Sequence, residues 1–93
     1  MARDVDEIIA DVKAQIPSVR VHQMRKSFPA DDDGLWWFSI PCNQKDIQIE
    51  SSDGICPFII ESSDFRCSDA KHGRKPEEVT SIVVEYLRQL LPI

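Results

Sequence analysis

Between two stretches of helical periodicity the chain carries one dense apolar block, residues 35–61. It reads LWWFSIP, a polar break, then DIQIESSDGICPFIIE. Successive residues of a strand point to opposite faces of a sheet. Trp36, Phe38 and Ile40 therefore share one side of their strand, and Leu35, Trp37 and Ser39 share the other. Ile47 and Ile49 alternate with Gln48 and Glu50, the pattern of a half-buried strand. Farther on, Phe58 and Ile60 alternate with Ile55, Pro57 and Ile59. Two strands are thus apolar on both faces, whereas two helices can cover only one face of a small sheet. The remaining apolar surface needs a partner, a second copy or a ligand.

The flanking segments supply those helices. In the first, Val5, Ile8, Ile9, Val12 and Ile16 form one stripe, Asp4 and Glu7 have capping-box spacing, and Pro17 stops the helix. In the second, Pro76 stands at the first helical position with Glu77 and Glu78 behind it. Val79, Ile82, Val83, Tyr86, Leu87 and Leu90 recur at helical spacing. Strands are expected at Ser18 to about Phe28, Leu35–Ile40, Ile47–Ser51 and, after a turn, from Cys56 to Glu61. In the first, Val19 and Val21 face one way, and Arg20, His22 and Met24 the other.

Asp53-Gly54 marks a hairpin. A four-residue loop, Ser52 to Ile55, sets Phe58 opposite Ile49 and Ile60 opposite Ile47. Pro57 lacks an N–H, which predicts an edge strand. Residues 62–75 are polar and long for a simple connection. The expected fold is α+β: one domain, 1–93, ordered α-β-β-β-β-α. It is a four-stranded antiparallel meander with both helices packed on one face.

Composition narrows the function classes. Eleven basic against sixteen acidic residues gives a net charge of −5, which disfavours generic binding to nucleic acid or an anionic membrane. Two basic clusters run the other way: Arg20, Arg25 and Lys26, then Arg66, Lys71, Arg74 and Lys75. They read as solvated charge. No apolar run approaches the roughly 20 residues of a spanning helix. The start, MARDVDEIIADVK, has acids where a signal peptide is basic and then apolar, so a cytoplasmic protein is expected. Cys42, Cys56 and Cys67 cannot all pair within one chain, which suggests reduced thiols.

The search for chemistry yields one weak cluster. Cys67, Asp69 and His72 share the long loop, but no CxxC or HxxxH spacing supports zinc, so no metal and no cofactor is expected. Asp31, Asp32 and Asp33 lack the alternate spacing and closing Glu of a calcium loop. Glu50 and Glu61 read as outward acids that keep strands soluble. His22 is expected on the open face and Cys56 on the core face, which argues against a thiol–imidazole pair. Gly34, Gly54 and Gly73 stand alone, so there is no phosphate loop.

The pair Trp36-Trp37 carries more. One indole must enter the core, and Phe38 and Ile40 assign that role to Trp36. Trp37 then joins Leu35 on the open face, beside Met24, His22 and Ile59. An exposed Trp in mid-sheet is a typical binding anchor; alternatively, Phe65 of the long loop folds back over it.

Glu50, Ser51, Ser52, Gly54, Cys56, Pro57 and Phe58 also carry a resemblance. With the aromatic strand and the C-terminal helix, this hairpin resembles a family of small uncharacterised bacterial proteins sharing an E-S-S-x-G-x-C-P-F motif. The resemblance spans about the last two thirds of the chain and implies the fold and a bacterial source, with no activity attached.

The reading that follows is a non-catalytic module binding another protein or a second copy of itself. It would act through the open face or the edge of the fourth strand, as an immunity-type or antitoxin-like inhibitor or a chaperone-like binder. The alternative is a small enzyme or ligand-binding protein with a pocket between the sheet and loop 62–75, using His22, Cys67, Asp69 and His72. A scaffold resembling a double-stranded-RNA domain is opposed by Glu77 and Glu78 where such a helix is basic.

Overall fold

A computed structural model describes residues 3–23, 34–41, 43–51, 54–62 and 71–91. Helix α1 (Asp4–Gln15) leads into β1 (Arg20–Gln23), β2 (Leu35–Ser39), β3 (Asp46–Glu50), β4 (Phe58–Ser62) and β5 (Lys71–Gly73), and α2 (Pro76–Leu90) closes the fold. The strands form one antiparallel meander in the order β1-β2-β3-β4-β5. Both helices cover the same face, so the architecture is α+β as the periodicity implied.

Side-chain parity decides what lies beneath the helices. Trp36, Phe38, Ile47, Ile49, Phe58 and Ile60 point inward and are all but inaccessible. They meet Val5, Ile8 and Val12 of α1 and Val79, Val83 and Leu87 of α2 in one cluster. Trp36 sets its ring edge-on to Phe58, with centroids 6.4 Å apart. The Arg3 guanidinium lies 5.8 Å from the same indole, a cation–π contact at the end of the core. The helices run in the same direction: Gln15, closing α1, accepts a hydrogen bond from Arg88, near the end of α2, at 3.4 Å.

Four details depart from the sequence expectation. The sheet has five strands among the described residues, because Lys71–Gly73 adds a short edge strand inside the segment expected to be loop. Three residues, one of them Gly, carry no strand signature; pairing with β4 imposes the conformation. Gly73 is needed for closeness, since a Cβ there would sit 2.3 Å from Val79 Cγ2. The β3–β4 register is the second. Ile60 lies opposite Ile49 and Ser62 opposite Ile47, two residues away from the expected pairing. A shift of two keeps every side chain on its expected face.

That shift lengthens the loop enough to reach α1. Gly54, at φ +75°, offers its carbonyl to the Val5 N–H at 2.9 Å, and the Cys56 N–H donates to Asp4 Oδ2 at 2.8 Å. Within the loop, the Ser51 hydroxyl donates to the Ile55 carbonyl at 2.6 Å. Asp4 is therefore not the helix cap, which is the third correction. Arg3 holds that position, and Asp6 accepts the Arg3 N–H at 3.0 Å. Fourth, β4 is not an edge. Pro57 precedes it, and the edges are β1 and β5.

Leu87 is fully buried between α2 and the sheet. Leu87→Ala should lower the free energy of unfolding by about 2–5 kcal/mol in a denaturant titration. A loss under about 0.5 kcal/mol, the surface scale, would place Leu87 outside the core.

Candidate functional site

The face that the helices leave uncovered is ordered in cross-strand rows. One row runs His22–Trp37–Gln48–Glu61 and a second Leu35–Glu50–Ile59–His72; a third joins Arg20, Ser39 and Asp46. Trp37 lies at the centre and is half-buried, with Leu35 beside it on the same strand. Its indole N–H donates to Gln48 Oε1 at 3.1 Å, which ties the ring to β3.

Among the described residues, the large hydrophobic side chains most open to solvent are Ile55, 48 % exposed, and Ile59, 39 % exposed. Both line a groove of about 550 Å³ that also takes in Glu50, Ser51, Pro57 and His72. A smaller recess of about 130 Å³ lies among Asp46, Gln48, Glu61 and Ser62. The open face is thus apolar along Leu35, Trp37 and Ile59, with carboxylates from β3 and β4 set between and beside them.

The residues proposed from sequence for partner binding divide cleanly. Trp37, Leu35, His22 and Ile59 share this face, while Met24 lies outside the described residues. Of the alternative pocket set, Cys67 and Asp69 also lie outside the described residues, as do Asp31–Asp33 and Phe65. His72 is exposed on β5 beside Ile59. The two histidines occupy opposite edges of the five-stranded sheet, four strand spacings or roughly 19 Å apart, too far to act on one group. Among the described residues, no group of three or more His, Cys, Asp or Glu side chains is placed to hold a metal ion.

Ile55 and Cys56 gain a role that spacing alone did not assign. Both belong to the loop that docks on α1, and the Asp53-Gly54 turn signal could have located it. Cys56 is free and packs against the core edge near the start of both helices. Helix starts often activate thiols, but here the sign is reversed. Burial pushes the thiol up, and the Asp4 charge, a hydrogen bond to that carboxylate, and then Glu77 and Glu78 push it further, to about 11. Such a sulfur is not a nucleophile at neutral pH.

A second concavity runs between the helices on the opposite side of the molecule. Asp11, Gln15, Thr80, Ser81, Val84 and Arg88 are among its lining. It is polar, and Arg88 and Gln15 already bond across it. Thr80 Oγ1 is buried and without a partner among the described residues. No family model matches the chain, and neither a curated protein nor a solved structure matches it significantly.

With Cys42 and Cys67 replaced by Ser, Cys56 should react slowly with iodoacetamide at pH 8, its rate rising only toward about pH 11. The thiol's folded value lies above its ordinary 9.0. Its contribution to stability is therefore complete below about pH 9 and is lost between about 9 and 11. A reactivity midpoint at or below 9 would contradict the acidic setting described.

Proposed function

We propose that this protein is a non-catalytic interaction module that takes hold of another protein through the uncovered face of its sheet. The observation that carries the reading is the distribution of exposed apolar surface. The helices bury most of their hydrophobic side chains and leave Ile9, Ile82 and Leu90 partly covered, whereas on the sheet Ile55 and Ile59 remain open beside half-buried Leu35 and Trp37. Exposed apolar side chains interleaved with polar and acidic ones, here Glu50 between Leu35 and Ile59, are the composition of a non-obligate contact site. Trp37 is the natural anchor, since central aromatic residues carry much of an interface's energy.

A small acidic α+β module of this kind suits an inhibitor of the immunity or antitoxin type, or a chaperone-like binder, working in the cytoplasm. Among the described residues no helix is long and apolar enough to cross a membrane. The E-S-S-x-G-x-C-P-F hairpin fits the same reading. Ser51, Gly54 and Cys56 serve the docking of the loop on α1, and Phe58 serves the core. A family sharing that motif would share a scaffold rather than a catalytic site.

The two tryptophans separate folding from binding. Trp37→Ala should leave thermal unfolding nearly unchanged and weaken partner capture by about 2 kcal/mol or more. Trp36→Ala should instead destabilise the fold by about 3–5 kcal/mol. Parallel calorimetry and affinity measurements on both variants decide the matter. Unfolding by Trp37→Ala, or unchanged binding, would remove the open face as the functional surface.

A further inference from the structure

We infer that the occupant of the open face is a basic protein segment that lays an arginine over Trp37. The inference rests on the reading of that face as the binding surface and adds the chemistry of what binds. Asp46 and Glu50 stand on β3 two residues either side of Gln48, the residue opposite Trp37. Diagonal neighbours of this kind lie about 7–8 Å apart, within reach of a long side chain. Glu61, across from Gln48 on β4, adds a third carboxylate on the same face, one strand beyond β3 and about 10 Å from the Trp37 backbone.

Among the described residues, none of the three is spent internally: no ion pair engages Asp46, Glu50 or Glu61. The described cation on this face is Arg20, on the edge strand opposite Ser39. Gln48 itself is neutral and orients the ring by accepting its N–H, so the tether consumes no acid. Two carboxylates diagonal to an oriented aromatic ring, with a third one strand beyond, match a guanidinium, whose plane stacks on an indole while its N–H groups reach carboxylates on either flank. The net charge of −5 would also speed capture of a basic partner.

The apolar side adds a spacing. Ile59 and Glu61 are two apart on β4 and share the open face, about 7 Å from each other. An extended partner running along β4, with an aliphatic residue and an arginine two positions apart, would set the first in the Ile55–Ile59 groove and the second beside Glu61. From there the long side chain reaches across Gln48 toward Trp37.

The test uses an end-capped octapeptide, Ile-Ser-Arg-Ser written twice, titrated at low salt into the isotope-labelled protein. The indole N–H resonances of Trp36 and Trp37 are followed. The expected result is a saturable shift at Trp37 with Trp36 unmoved, and about tenfold tighter binding than the same peptide with Glu for Arg. The double substitution Asp46→Asn with Glu50→Gln should abolish that preference and leave the core amide spectrum unchanged. If the Arg and Glu peptides shift Trp37 equally, the basic partner is wrong and the open-face reading survives. If the Arg peptide moves no open-face resonance, or moves those around Asp11 and Glu85 on the helices instead, both readings fall.

Discussion

A sheet built from strands that are apolar on both sides needs two covers, and this chain supplies one. Everything else in the molecule follows from that imbalance. Both helices lie over the inner residues of β2, β3 and β4, where Phe38, Ile47, Ile49, Phe58 and Ile60 lose all contact with solvent. Leu35, Trp37 and Ile59 belong to the same strands and are excluded from that core by parity alone. The uncovered face is therefore a product of the same alternation that makes the core, and no rotamer change can move its side chains inside.

The loop between β3 and β4 joins the two sides. Its Gly54 carbonyl accepts an amide hydrogen at the start of α1, and its Cys56 N–H engages Asp4. A Cβ on Gly54 would come within 2.9 Å of Val5 Cγ1, in addition to the strain of a positive φ. The same loop carries Ile55 into solvent at the margin of the open face. A hairpin whose backbone is tied to a helix presents its apolar tip from a fixed position, which lowers the ordering cost of an interface.

Much of this was legible in the sequence because it depends on period. The 3.6-residue spacing of Val79, Val83 and Leu87 and the two-residue spacing of Phe58 and Ile60 gave the two helices, four of the strands and their inward faces. The assignment of Trp36 inward and Trp37 outward rested on the same rule. What escaped depends on contacts distant in sequence. Lys71–Gly73 becomes a strand only because β4 offers it an edge, and Gly73 only because Val79 crowds it. The register of β3 on β4 goes together with the docking of the loop on α1, which no local turn signal encodes. Of the candidate residues, Trp37, Leu35, His22 and Ile59 share one face by the same alternation; the place of Asp46 and Glu50 diagonal to Trp37 comes from the pairing of β2 with β3, and that of Glu61 beyond Gln48 from the register of β3 on β4.

The most direct test of the account is a side-chain footprint of the protein bound to its natural partner. Hydroxyl-radical labelling of the free and bound protein, read residue by residue, should show protection at Trp37, Leu35, Ile55 and Ile59. Ile9, Ile82 and Leu91, which are partly buried at the margins of the helical layer, should label equally in both states. Protection confined to Ile9, Ile82 and Leu91, with Trp37 and Ile59 unchanged, would show that the partner sits on the helices and that the uncovered sheet face is not where this protein binds.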